Sequence, residues 1–279
     1  LKQSFSTSDN KRSSSTSSNG VLCCVFPCCK VNEKYYSHRG SSHGGPVISD
    51  KYYNGNKINK IIECIIKYYN QNLQLRIPES IFSNKLNDPI IYFFTKNNFK
   101  INIELSVYKK LSKENLFQDY GKRNLSYLKK ILLNKNYTTK VTNKYEDYVE
   151  YYKLLVINMK KFNKVPTHSL EEFIKINKIY TNKEVILIVT KYKDKIIGGV
   201  WNILCNNVLY AFYIVRDYTH INKNFSASLP LHYSFNYGIV NNIKYYSFGI
   251  CGKDKLNESL LHFKETLGGN IINRYVLYF

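Results

Sequence analysis

The chain is predicted to be an α/β (α+β) protein of two tandem lobes that share one architecture. Three observations predict this. From Glu184 to Phe279 the apolar period switches from two to 3.6 and back, in the order three strands, helix, strand, helix, strand. From Val21 to Tyr108 the order is strand, helix, strand, an apolar segment readable as helix or strand, then strand, without any residue-level repeat of the later part. Between them, Tyr120 to Asn136 is a basic helix whose Leu125, Leu128, Ile131 and Leu132 make one apolar stripe.

In chain order, residues 3–19 are rich in Ser, Thr, Asn and Lys with no apolar period, which predicts loop or disorder. Val21 to Val31 reads as a strand, and a polar stretch from Ser37 to His43 leads through Gly44-Gly45-Pro46 to a short strand at Val47-Ile48. Ile58, Ile61, Ile62, Ile65 and Ile66 fall at i, i+3, i+4, i+7 and i+8, so Ile58 to Tyr69 is an amphipathic helix. Asn72 to Ile77 and Ile101 to Tyr108 alternate as strands.

The second lobe is expected to begin near Tyr137 to Thr142. A long helix follows from Tyr145 to Phe162, and Ser169-Leu-Glu-Glu172 is a capping box opening another. Strands are expected at Glu184–Lys191, Ile196–Cys205 with Gly198-Gly199 as a bulge, and Val208–Val215. A polar loop, Arg216 to Ser228, leads to a helix opened by Pro230. Ile243 to Gly249 is a strand, Asn257 caps a helix ended by Gly268-Gly269, and Asn270 to Phe279 is the last strand. The expected divisions are a Ser-rich segment 1–19, a first lobe 20–119 lacking its N-terminal half, and a second lobe 120–279 that includes the basic helix.

Composition narrows the function classes. At 279 residues with 44% hydrophobic content, the chain can bury real cores. Its longest apolar run, Val21 to Cys29, is far below the roughly 20 residues of a membrane helix, and it lacks the features of a signal peptide. The seven cysteines suit a reducing compartment, and no metal site is expected, because adjacent cysteines in Cys23-Cys24 and Cys28-Cys29 face opposite sides of a strand. The expected location is cytoplasmic, extending to the inner face of the membrane. A net charge of +21 suits a polyanionic partner such as tRNA, yet only six of the 41 basic residues are arginine, and lysine accompanies abundant Asn, Ile and Tyr. Codon composition and a functional charge are both open readings. Gly249 to Asp254 fails as a phosphate loop, since Ser247 stands where glycine is required and Asp254 where Ser or Thr is required.

Several short motifs carry a resemblance. They are His43-Gly44-Gly45-Pro46, the basic Lys122-Arg123-Asn124-Leu125, Ile196-Ile197-Gly198-Gly199, Leu229-Pro230-Leu231, and Leu261-His262-Phe263-Lys264 followed by Leu267-Gly268-Gly269. With the element order, they resemble the GNAT acyltransferase fold in its tandem form, as in the Fem-type peptidoglycan aminoacyltransferases and FemAB-like acetyltransferases. The resemblance implies two tandem GNAT-like acyl-CoA N-acyltransferase lobes and direct transfer without a covalent enzyme intermediate. It implies acyl-CoA or aminoacyl-tRNA as donor, with no metal, and an amine on a cell-envelope precursor as acceptor. The sequence departs from coenzyme A-binding relatives at the loop after the third meander strand, where Arg216 to Ser228 contains no glycine. A conventional small-amine acetyltransferase and a non-catalytic binding module remain open beside the Fem-type reading.

The same resemblance places chemistry at the third meander strand, whose splay from the next strand leaves backbone N–H groups of Tyr210 to Val215 unpaired as oxyanion donors. On the last helix Leu260, Phe263 and Leu267 share a face, Lys264 lies on its flank and His262 nearly opposite. Lys264 is therefore the catalytic candidate, as a phosphate-binding or proton-transferring group, set against an ordinary exposed helix lysine. Arg216, Ser228, His232 and Tyr213 are the substrate-binding candidates, toward a phosphate-containing substrate; His232 also reads as a boundary histidine. The oligomeric state is not legible.

Overall fold

A computed structural model describes residues 2–8, 11–18, 21–38, 41–69, 72–114, 116–117, 119–180, 184–220, 225–253 and 255–279, and divides the chain into two units. Unit one comprises Leu1–Leu105 with Asn273–Phe279, and unit two comprises Ser106–Ile272. The boundary expected at 119/120 thus lies at 105/106, and the end of the chain returns to the first unit.

Unit one contains β1 (Lys2–Ser8), β2 (Lys11–Ser18), β3 (Val21–Val31), β4 (Lys34–Ser37), β5 (Val47–Ile48), α1 (Gly55–Tyr69), β6 (Leu73–Ile77), α2 (Asp88–Lys96) and the start of β7 (Lys100–Lys110). Its sheet runs β1-β2-β3-β4-β6, with the last strand of the chain beside β6 and β5 on β3. Residues 3–19, expected to lack regular structure, instead supply β1 and β2. The reason is that β2 pairs with β3 from Lys11↔Cys29 to Ser18↔Val21, and such pairing needs main-chain groups rather than apolar side chains.

The predicted isoleucine stripe of α1 is fully internal, with Asn54 Oδ1 accepting from the Lys57 N–H at the helix start. The ambiguous segment 88–95 is helical: Pro89 suits a first turn, and Ile90 and Phe94, one turn apart, enter the core. Cys24, Phe26 and Cys28 alternate into the same core. Burial pushes the Cys24 and Cys28 thiols up to about 12, so both act as small apolar groups.

Unit two continues with α3 (Lys122–Leu132), β8 (Tyr137–Val141), α4 (Tyr145–Lys160), α5 (Leu170–Tyr180), β9 (Val185–Tyr192), β10 (Lys195–Cys205), β11 (Val208–Arg216), α6 (Phe225–Val240), β12 (Tyr245–Ile250) and α7 (Glu258–Glu265), and β13 (Asn270–Tyr278) passes from it into unit one at Asn273. The strand order is β7-β12-β11-β10-β9-β8. The β8-to-β11 meander is antiparallel, β11 and β12 are parallel, and β12 meets β7 antiparallel.

Both faces of this sheet are covered, which explains the continuous apolar runs of the meander. Ile186, Ile188, Val200 and Leu209 pack with Phe235 of α6, whereas Leu187, Val189 and Trp201 pack with Tyr151 of α4 and Phe173 of α5. The expected capping box holds: Ser169 Oγ accepts from Glu172 N–H, and Glu172 Oε2 accepts from Ser169 N–H.

One helix start is corrected. Pro230 does not open α6 but lies inside it, since the helix begins at Phe225. Its carbonyl accepts from Ser234 Oγ at 2.7 Å; Asn202 Nδ2 donates to the same hydroxyl at 3.3 Å, and Tyr246 OH donates to Asn202 Oδ1 at 3.0 Å. This buried polar chain ties the helix to β10 and β12 and offsets the ladder bond that the proline lacks.

Candidate active site

The site begins where β11 and β12 part. Their parallel pairing covers only Val208↔Tyr245, Leu209↔Tyr246 and Tyr210↔Ser247. Each strand is irregular just beyond that point. On β11 the register with β10 steps from Ala211↔Asn202 to Tyr213↔Trp201, which leaves Phe212 as an extra residue. On β12 the register with β7 steps from Ser247↔Tyr108 to Gly249↔Val107, which leaves Phe248 as an extra residue. A bulge bends and twists its strand, so two bulges at the divergence point hold the splay open.

Gly249 completes the geometry. Its φ is +71°, its N–H donates to Ser247 Oγ at 3.2 Å, and a Cβ there would meet the Tyr210 ring at 3.3 Å. Gly249→Ala is expected to cost about 1–2 kcal/mol of stability in thermal denaturation, through backbone strain and the crowded ring.

The open edge of β11 is closed at its far end by α4. Asn158 Nδ2 donates to the Arg216 carbonyl at 2.9 Å, and Asn158 Oδ1 accepts from the Arg216 N–H at 3.1 Å. One amide side chain thereby makes both bonds that a neighbouring strand would make. Asp217 N–H points the other way, to the Ile197 carbonyl of β10. Alternation along the strand turns the Ile214 N–H to the same edge as that of Arg216, where no strand pairs with it among the described residues. Nearby, the Tyr213 carbonyl accepts from Tyr151 OH at 2.9 Å. Burial holds that phenol well above its usual range, so it remains a donor.

Lys264 holds the other strand. It is 2% exposed, and its ammonium donates to the Gly249 and Ile250 carbonyls, each at 2.8 Å. It takes up carbonyls at the end of β12, beyond the last residue paired with β11. The reading of an ordinary exposed helix lysine does not hold, while His262 is exposed as the helical wheel requires. The Gly268 after this helix has φ +80°, and a Cβ there would lie 2.2 Å from the Lys109 Nζ, so both backbone and space require glycine.

The other candidates separate. Arg216 stands at the end of β11 with its guanidinium 4.3 Å from the Tyr218 ring centre, and Lys161 Nζ lies 3.3 Å from the same centre. Asp217 does not pair with Arg216; it accepts from Thr219 and Lys195. Burial pushes the Asp217 carboxyl up, but the Thr219 hydrogen bonds and the Lys195 charge outweigh it, leaving the pKa below the ordinary value. Ser228 is buried in the first turn of α6. The preceding residues 221–224, part of the glycine-free loop, lie outside the described residues.

The Tyr213 side chain is not at the open edge. It stacks on Trp201 at 5.7 Å and 17°, and its hydroxyl accepts from the Thr167 N–H at 2.9 Å. What Tyr213 brings to the site is backbone.

His232 is likewise internal. Its Nδ1 is 3.0 Å from Tyr120 OH, and its Nε2 is 3.2 Å from Asn236 Nδ2. Burial, and then the Lys109 charge, lower its pKa to about 4, so it is neutral at pH 7 and its neighbours engage both ring nitrogens. The unfolded chain, with an imidazole near 6.5, binds a proton that the folded protein excludes. Stability should therefore fall as pH drops from 6.5 to 4, by about 3 kcal/mol from this residue, and then level off. Urea denaturation across that range should show the loss, and His232→Gln should flatten this part of it.

Asn158 gave no sequence signal of its own, although it lies on the helix face of Tyr151 and Leu155, at i+7 and i+3 from them. A polar residue in an apolar stripe was the available cue. Among the described residues, no cluster of three or more His, Cys, Asp or Glu could hold a metal, and no helix is long and apolar enough to cross a membrane.

A parallel strand pair that splays after an antiparallel meander, with helices on both faces, defines the GNAT fold, and comparison with solved structures agrees. FemX matches over 95% of this chain and 87% of its own, with a TM-score of 0.68 and 12% identity. L-PGS from Bacillus licheniformis matches over 96% and 84%, at 0.63 and 12%. A tandem GNAT protein from the clavulanic acid biosynthesis pathway matches over 96% and 81%, at 0.58 and 9%. The chain thus has the tandem GNAT fold in its FemX-like form, as its element order led one to expect. No family model and no curated protein matches the sequence.

Proposed function

We propose that the protein transfers an acyl or aminoacyl group directly to an amine at the open edge of β11. The observation that carries this reading is the Ile214 N–H, turned to an unpaired edge between two bulged strands. The donor carbonyl carbon is attacked by a neutral amine, and its oxygen gains negative charge that the Ile214 N–H stabilises. A C–N bond forms, the C–S bond of a thioester or C–O bond of an ester breaks, and the proton lost by the amine goes to the leaving sulfur or oxygen.

Arg216 and Lys161 supply positive charge at the end of β11, where a donor's phosphates would lie in place of a glycine-rich loop. Lys264, with its ammonium committed to two carbonyls, positions β12 and transfers no proton. Ser228 belongs to the helix turn nearest the donor. The donor is acyl-CoA or aminoacyl-tRNA, and the acceptor is an amine of a phosphate-bearing envelope precursor. FemX and a putative lysylphosphatidylglycerol synthetase among the structural neighbours support an aminoacyl donor and an envelope acceptor, and the net charge of +21 suits tRNA.

Calorimetry of the full chain against acetyl-CoA and against charged tRNA tests the reading. Binding of one donor, followed by its turnover with an amine, is expected. If neither donor binds, the chain keeps the fold as a binding module.

A further inference from the structure

The first unit contains a cavity of 340 Å³ lined by Val31, Tyr36, Ser37, Gln74 and Arg76. Its place follows from the pleat of β6. Leu73, Leu75 and Ile77 enter the core under α1 and α2, so Gln74 and Arg76 emerge on the opposite face. Tyr36 of β4 is the register partner of Gln74, which aligns the two side chains over the same face. The Arg76 backbone is fixed, since its carbonyl accepts from the Gly44 N–H at 2.7 Å and Val276 pairs with it in register.

The head group of Arg76 has no such anchor. Its Nε is buried without a hydrogen-bond partner, and among the described residues no carboxylate pairs with it. The buried acids of this unit are engaged elsewhere: Glu79 Oε2 lies 2.8 Å from His43 Nε2, and Glu104 pairs with Arg274. None of the five lining residues is acidic, and Tyr36 and Gln74 bring further hydrogen-bonding groups, the Ser37 hydroxyl being held by Pro27 and Gly45. A guanidinium with no carboxylate partner can match two oxygens of one carboxylate or phosphate through its nitrogens. The volume exceeds what an inorganic ion needs and falls within the roughly 300–1,000 Å³ of small-molecule pockets.

We propose that the first unit carries a binding pocket for a small organic oxyanion, a phosphate ester or a carboxylate, anchored by Arg76 and walled by Val31 and the Tyr36 ring. This site stands independently of the acyl-transfer reading, since no residue of unit two takes part in it.

Calorimetric titration of the full chain with phenyl phosphate, benzoate and uncharged phenol tests it. At least one of the two anions is expected to bind with a Kd of about 1 mM or tighter, and phenol much more weakly. Tighter binding of phenyl phosphate assigns the pocket to phosphate esters, and tighter binding of benzoate to carboxylates. Arg76→Gln should weaken binding about tenfold or more with an unchanged melting temperature. If that variant does not fold, Gln74→Glu places a carboxylate beside Arg76 and should abolish binding. No binding of either anion at ~10 mM, or affinity unchanged in the folded variant tested, would overturn the proposal.

Discussion

Lys264→Met is expected to lower stability by about 3 kcal/mol and to reduce acyl transfer at least about tenfold. Methionine fills similar space but donates nothing, so the Gly249 and Ile250 carbonyls lose two charge-assisted hydrogen bonds in a buried setting. Desolvation relieved by removing the ammonium offsets part of that loss. With its end unheld, β12 can relax toward β11 and narrow the splay. Urea denaturation gives the stability change. The pH–rate profile separates a positioning role from a chemical one: the residual activity should keep the wild-type profile. A lost basic limb would return Lys264 to proton transfer.

Asn158→Leu should cost a further, separate 2–4 kcal/mol or so, because the Arg216 N–H and carbonyl are both left without partners. Asn158→Asp retains an acceptor for the N–H but has no donor for the carbonyl, so its cost should be comparable or only slightly smaller. Denaturation midpoints of the two variants decide this. Wild-type stability in Asn158→Leu would mean that the amide is no surrogate strand. The two losses should add, since they act on opposite strands of the splay.

Most of unit two was legible because its elements rest on side-chain periodicity. The apolar runs of β9 to β11, the capping box at Ser169 and the Asn257 cap follow from residue type and spacing, whereas the β10 bulge expected at Gly198-Gly199 lies one residue earlier, at Ile197. The misses share a different cause. β1 and β2 are held by main-chain pairing to β3, which leaves no hydrophobic trace, and Pro230 sits within α6 because the Ser234–Asn202–Tyr246 chain supports it.

At the candidate site, the sequence reading favoured side chains where the structure offers backbone. Tyr213 and His232 turn inward, because a residue's side chain and its N–H need not face the same way. Burial was also invisible for Lys264: the helical wheel set it on a flank, and only the position of the Gly249 and Ile250 carbonyls reveals that the flank is internal.

The Ile214 N–H is the group on which the catalytic account turns, and an amide-to-ester exchange at that position deletes it while leaving the side chain in place. With a donor and amine that the protein turns over, kcat should fall by about 10²–10³ while the melting temperature stays close to that of the parent, because this N–H makes no ladder bond to lose. Unchanged kcat in the ester-containing protein would contradict the account.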